Sequence, residues 1–477
     1  MIIRLLLLLT AGTVFGQSTP FDSLFTGRTL RFDYYHSGTG ATDSTSGEEH
    51  IGLDQLRLEG PWPGSRVHLV DSTNLGKYLF EVLDTASHAV IYSRGFASIY
   101  GEWETIAEAR AGYWRSFHES QRLPEPKGPV RLALSKRGAD GTFHRIFSRD
   151  VDPQGRFVNR SRVAFRGRSW SLIINGPAES TVDLLILGDG YSKKESRKFR
   201  RAAGRLKDAL LDTEPFRSRR EDFNVRAILV PSEESGISNP RSYVWRDNPL
   251  GTSFNTFDSD RYVLTMANLR MREIAAQVPY DAIIILVNAR KYGGGGIMNL
   301  YATVAAHSGQ AAYLMVHEFG HSFAGLADEY YTSPVAYEDF NPPGVEPWQP
   351  NITALLNPDS IKWWHLLDAD TPIPTPWNQA HYDSVSLSFQ RRRAELRSQG
   401  VSEEVMERYF QDVQAAIGPL LEAEQYFGQV GAFEGAGYQA KGLYRPAADC
   451  IMFTRNPGGF CRVCSEAIEK IIDLYAE

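Results

Sequence analysis

The sequence predicts a mixed α/β (α+β) fold in two parts, a β-sandwich over residues 17–160 followed by an α/β domain over 165–477. Three observations predict it. Short alternating apolar runs fill the first part, separated by Gly, Pro, Asp and Ser. In the second part, continuous apolar strands alternate with a charged helix, the pattern of an α/β unit. A length of 477 residues with 42% hydrophobic and 12% aromatic content is enough to bury two cores and excludes a disordered chain.

In chain order, the first element is a leader. Arg4 precedes an apolar run from Leu5 to Phe15 that is too short to span a bilayer. Val14 and Gly16 suit a signal-peptidase cut, so residues 1–16 read as a signal peptide and the mature protein as exported, periplasmic or secreted. No later stretch is apolar and long enough to cross a membrane. The runs Arg66–Val70, Tyr78–Leu83, Ala89–Ser93 and Val130–Ser135 read as strands. Gly38–Glu49 reads as a mobile loop and Pro124–Pro129 as a turn. The pattern then changes. Thr181–Leu187, Phe223–Pro231 and Asp281–Asn288 read as buried strands, and Ser192 opens a charged helix that reaches Leu211. Residues 331–361 read as irregular loop, 384–427 as charged helix and 462–475 as a final helix. The run Gly293–Gly296 lacks the Lys-Ser/Thr ending of a phosphate loop. It reads either as a turn after a strand or as a place where a bound chain approaches a strand edge.

Charge narrows the partners. With 51 Lys+Arg against 57 Asp+Glu the net charge is -6, so neither nucleic acid nor an anionic membrane is the expected partner.

The chemistry concentrates in Gly309–Ala324, GQAAYLMVHEFGHSFA, an apolar helix carrying His317, Glu318 and His321. A spacing of four sets both imidazoles on one helical face, where they can share one Zn2+. Glu318 can then reach a water whose pKa zinc lowers to about 7, and act as general base. Read as ordinary core residues, the three would be costly polar groups without partners. Gly325 ends the helix and Asp328 follows, placed to return a carboxylate as the third zinc ligand. Glu329 and Glu434 are the alternatives for that place. His307 precedes the helix and reads as structural. Tyr438 and Tyr444 read as packing residues, with oxyanion donation the alternative. Cys450, Cys461 and Cys464 cluster near the C-terminus. One disulfide from Cys450 to either later cysteine is expected, because no nearby histidine completes a zinc knuckle.

Four segments together, HEFGHSFAGLADEY (His317–Tyr330), KYGGGGI (Lys291–Ile297), FEGAGYQAKGLYRPAADCIM (Phe433–Met452) and FCRVC (Phe460–Cys464), resemble the bacterial zinc metallopeptidase family typified by IgA peptidase. YSRGFASIYGEW (Tyr92–Trp103) is similar to the N-terminal domain of that family. The resemblance implies a metzincin-like catalytic domain, with His317 and His321 as zinc ligands, Glu318 as base and Met452 in the turn beneath the metal. Metzincins usually carry the third ligand ten residues after the first histidine, which is Ala327 here, so the turn to Asp328 must differ. The expected function is an exported zinc endopeptidase acting on protein or peptide substrates. A zinc amidase acting on cell-wall peptides, or a non-catalytic β-sandwich binding protein with a structural zinc, are the alternatives.

Overall fold

The computed structural model describes residues 21–42, 47–337 and 340–476. The expected leader and the centre of the expected loop at 38–49 lie outside them. The N-terminal part is built from strands β1 (Phe25–Gly38), β2 (Glu49–Pro61), β3 (Tyr78–Asp84), β4 (Val90–Phe96), β5 (Arg115–Pro126), β6 (Val130–Arg137), β7 (Phe143–Val151) and β8 (Val158–Asn159). They form two four-stranded sheets, ordered β5-β1-β2-β8 and β4-β3-β6-β7. All pairings are antiparallel except the short β2–β8 contact. Leu30, Phe32 and Leu58 of one sheet share a core with Phe80, Val82 and Leu132 of the other. Arg66–Val70 is not a strand. Ser65 Oγ accepts the amides of Val67 (3.1 Å) and His68 (2.9 Å), which turns the chain and leaves Val67 and Val70 exposed.

The second part adds β9 (Arg168–Ile173), β10 (Val182–Asp189), β11 (Phe223–Leu229), the short pair β12 (Thr252–Ser253) and β13 (Leu264–Thr265), β14 (Ala282–Val287), β15 (Gly294–Ile297) and β16 (Tyr301–Ala305). One six-stranded sheet runs β15-β16-β14-β10-β11-β9. Its four central strands are parallel, and β15 and β9 are antiparallel at the two edges. Every residue of β10 is buried, which explains the unbroken apolar run TVDLLIL: a parallel strand covered on both faces has no solvent side. Ser192 and Glu195 form a reciprocal capping box, and the helix Ser196–Leu211 follows. The stretch expected as one helix at 384–427 is two helices, Gln379–Ser398 and Glu403–Glu422, parted at Gly400, whose φ of 63° a helix cannot hold.

The two parts meet along one seam. Ile99, Tyr100, Trp103 and Phe117, between β4 and β5 or on β5, belong to the core of the second part rather than the first. Ala97 donates its amide to the Met298 carbonyl (3.1 Å), Asn299 its side-chain amide to Gly95 (2.6 Å), and Arg122 its guanidinium to Tyr280 (2.7 Å). The seam brings Glu102 of the N-terminal part into the cleft described next.

Candidate metal centre

The helix Ala311–Ala324 buries every residue but Ala312, Tyr313 and His321. Phe319 and Phe323 stack at 4.8 Å and anchor it beside Phe216. Gly325 closes it in the left-handed region, φ 63°, as the sequence predicts. His317 Nδ1 lies 3.0 Å from the Ile451 carbonyl and His321 Nδ1 2.6 Å from the Leu326 carbonyl. A carbonyl only accepts, so each Nδ1 carries the proton and each Nε2 is left as a lone pair.

Those two lone pairs face each other at 3.2 Å, and Asp328 Oδ1 stands 3.0 Å from His317 Nε2 and 3.2 Å from His321 Nε2. Three acceptors converge, and Asp328 Oδ1 is among the buried oxygens that find no hydrogen-bond donor. Pairs of N or O ligands on a tetrahedral ion with bonds of ~2.0–2.1 Å sit about 3.3 Å apart, so the set fits one cation. Among the described residues the group that closes at this place is His317, His321 and Asp328. Of the alternatives to Asp328, Glu329 faces the cysteines, with Oε1 3.3 Å from Cys464 Sγ. Glu434 pairs with Lys441 at 2.8 Å on the hairpin Phe433–Ala436 and Gln439–Arg445.

The turn that delivers Asp328 is held by Asn351, which carries no signal in the sequence, and by Tyr438. Asn351, fully buried, accepts the Ala327 amide (2.7 Å) and donates to both the Ala327 carbonyl (3.0 Å) and Glu329 (2.9 Å). Ala327, the position where a ligand would ordinarily fall, is thereby fixed by its backbone. Tyr438 donates its hydroxyl to Asp328 Oδ2 (2.6 Å), which leaves Oδ1 for the histidines. Tyr438 thus orients the carboxylate, while Tyr444 pairs through its backbone with Thr353, in a separate core cluster. Tyr313 hydroxyl lies 3.2 Å from His317 Nδ1, and its spacing of four before His317 could have revealed it. His307 bonds Tyr191 at 3.1 Å, a structural place.

The electrostatics ask for a positive charge. Burial lowers the His321 pKa, yet the Asp328 and Glu318 carboxylates raise it to about 9, so a proton on Nε2 competes with a cation for the lone pair. Burial works against the Asp328 charge, and the two histidines hold that carboxyl well below the usual range. Burial pushes the Glu318 carboxyl up, with the histidines opposing.

Glu318 sits against β15. A Cβ on Gly294 would come within 3.0 Å of Glu318 Oε1, and one on Gly296 within 2.4 Å of the Glu318 carbonyl and 2.8 Å of His321 Cβ. The glycine run is not a turn after a strand but a strand, and it lines the cleft described next. It is a strand that only glycine lets pass this close to the helix. At Gly294 its outer edge is engaged by the chain itself, through Gly294 N to the Arg261 carbonyl and Val263 N to the Gly294 carbonyl, both 3.1 Å. Met452 lies beneath the helix, its Sδ 3.3 Å from where a Gly320 Cβ would stand, and its carbonyl accepts the Glu329 amide at 2.9 Å.

A cleft of about 1650 Å³, mouth included, opens over the three ligand candidates and Glu318. Arg261, Tyr330, Tyr337 and Trp348 line it from the second part and Glu102 from the first. Arg261 donates to the Tyr330 hydroxyl at 2.9 Å. Glu102 accepts from the hydroxyls of Tyr262 and Tyr337, the latter at 3.0 Å. Burial raises Glu102 to about 7 against those hydrogen bonds. Neither Arg261 nor Glu102 carries a local sequence signal for this role.

Acceptors gathered around a place for one cation, with a carboxylate beside them at the base of a long cleft, define a metal-dependent hydrolase. Family comparison makes the class specific. The model described as IgA Peptidase M64 matches residues 171–472, and that of the Peptidase M64 N-terminus matches 20–148. The chain belongs to the IgA peptidase M64 family and is a metallopeptidase, acting on protein or peptide substrates. Comparison with curated proteins finds no match.

Proposed function

We propose that this metallopeptidase is an exported zinc endopeptidase with Glu318 as its general base. The observation that carries the reading is the convergence of His317 Nε2, His321 Nε2 and Asp328 Oδ1 within 3.2 Å of one another, with both Nδ1 atoms committed to carbonyls. A bound zinc supplies Lewis acidity, polarising the scissile carbonyl and lowering the pKa of water. His317, His321 and Asp328 would hold it, and the Ile451, Leu326 and Tyr438 hydrogen bonds keep them oriented. Glu318 takes a proton from the attacking water and passes it to the leaving amide nitrogen. A carboxyl raised by burial suits both steps, because it is a stronger base than an exposed carboxylate and still releases its proton to the leaving nitrogen.

The same observations support a metzincin-like catalytic domain behind a β-sandwich: a glycine-terminated His-Glu-x-x-His helix, a carboxylate on the returning turn, and Met452 below. The residues 1–16 leader supports a periplasmic or secreted location. Unfolded casein and cell-wall peptide fragments, assayed side by side with zinc-loaded and chelated enzyme, test the reading. Zinc-dependent cleavage of casein is expected. Cleavage of the cell-wall fragments alone would transfer the chain to the amidase reading.

A further inference from the structure

The buried cysteines form a second constellation that the peptidase reading does not use. Cys450 stands in the turn beside Met452, Cys461 caps the final helix Arg462–Tyr475, and Cys464 lies in its first turn. All three are thiols, contrary to the expected disulfide. Cys450 Sγ and Cys464 Sγ are 3.8 Å apart, against ~2.05 Å for a bonded pair. The Cys461 amide points at Cys450 Sγ from 3.3 Å. The residue that no sequence argument supplied as a fourth member is Glu329. Its Oε1 lies 3.3 Å from Cys464 Sγ, and one ligand atom from each of the four falls within 4.8 Å of every other.

We propose that Cys450, Cys461, Cys464 and Glu329 form a second metal site, a closed structural zinc site separate from the histidine centre. Distances favour a single tetrahedral ion. With Zn–S bonds of ~2.3 Å, two thiolates sit about 3.8 Å apart, and a thiolate and a carboxylate oxygen about 3.5 Å. The observed separations of 3.8 and 3.3 Å match that scale and are too short for ligands spread around an iron–sulfur cluster. Burial favours it too. Glu329 is fully buried, and its Oε2 has no hydrogen-bond partner, so a carboxyl oxygen beside the three sulfurs is left without a donor. A Cys450–Cys464 disulfide would leave that carboxylate beside neutral sulfur. Four protein ligands fill a tetrahedron, which leaves no place for water and makes the site structural rather than catalytic. Loading it releases the thiol and carboxyl protons to solvent as the four ligands bind, with no change of oxidation state. The ion would join three pieces of chain: the turn carrying Asp328, the turn carrying Met452 and the start of the last helix.

The test counts metal in the full chain. Wild type purified without chelator is expected to hold two zinc ions, and the His317→Ala/His321→Ala variant one. Titration of that variant with an organomercurial should consume three thiols and release one zinc. The same titration of the wild-type chain should release one of its two ions, so the result does not depend on how the variant folds. In a chelator competition Glu329→Gln should release this zinc at least tenfold faster. Three thiols reacting without zinc release, or a Cys450–Cys464 or Cys450–Cys461 disulfide in non-reduced peptides, would overturn the site. An unchanged release rate in Glu329→Gln would overturn the four-ligand assignment.

Discussion

Asp328 and Glu329 are adjacent in sequence, yet their carboxylates serve opposite sides of one turn. Asp328 Oδ1 stands 3.0 Å from His317 Nε2, and Glu329 Oε1 stands 3.3 Å from Cys464 Sγ. The Asn351 side chain makes this split, gripping both backbone groups of Ala327 and the Glu329 carboxylate. A swap of the two residues should therefore not be tolerated, although it conserves charge.

Glu318→Gln tests the base. The swap is nearly isosteric and leaves the three ligand candidates in place. Peptide hydrolysis should fall by at least ~10²-fold while zinc content and unfolding temperature stay unchanged. Near-normal turnover in this variant would sink the mechanism.

Asp328→Ala against Glu434→Ala tests the ligand set. Removing Asp328 takes one of three donors and should strip the histidine-site metal during dialysis. Glu434 pairs with Lys441 at 2.8 Å on its hairpin, so its loss should leave metal content unchanged. Element analysis of the dialysed proteins decides; metal retained in the first and lost in the second reverses the assignment.

Gly296→Ala tests the strand-to-helix approach. The new methyl would meet the Glu318 carbonyl at 2.4 Å and His321 Cβ at 2.8 Å, so strand or helix must move. A cost of about 1–3 kcal/mol is expected, with a matching loss of activity. Urea denaturation measures it, and an unchanged midpoint would mean that the strand yields freely.

Glu102→Ala tests the wall lent by the N-terminal part. The hydroxyls of Tyr262 and Tyr337 lose a buried acceptor, at about 1–3 kcal/mol. We expect kcat/KM to fall about tenfold with the histidine-site metal retained. Full activity would show that this wall does not shape the cleft.

His36 sets a pH dependence of stability. Burial lowers its pKa, but Glu119 and Glu49, at 3.1 and 2.7 Å, raise it to about 9. A raised histidine stabilises fully below its unfolded value of ~6.5 and loses that contribution as pH rises through 9, on the order of 3 kcal/mol. Glu49 works at the other end. Burial raises it, His36 and Lys136 bring it down to about 2, and its contribution is lost as pH falls from ~4.5 through 2. Melting curves should separate wild type from His36→Gln most near pH ~6 and converge above 9. A gap independent of pH would remove the ion pair as the cause.

The legible parts of the sequence were those with local physical signatures. The apolar strands Val182–Asp189 and Ala282–Val287, the capping box at Ser192 and the glycine stop at Gly325 each follow from neighbours a few residues away. His317, Glu318 and His321 were legible because helical spacing alone puts them together. Asp328 was legible as a candidate, but its preference over Glu329 rests on Asn351 and Tyr438, 23 and 110 positions on from it, and no short window contains that information. Arg66–Val70 misled because its alternation is that of a strand, while one serine hydroxyl decides the turn. The fourth member of the cysteine cluster has no local signature for a related reason: it is not a neighbouring histidine but Glu329, more than a hundred positions away.

The engagement of Gly294 has a consequence for how copies of this protein treat one another. A glycine-rich edge strand without side-chain bulk is an inviting template on which another chain can lay a new strand. Here the Gly294 amide and carbonyl are already spent on Arg261 and Val263, and Met298 next to the strand accepts from Ala97. At Gly294 the sheet therefore offers no free backbone pair, and the chain carries a nearly bare backbone beside Glu318 with one rung fewer for intermolecular sheet growth.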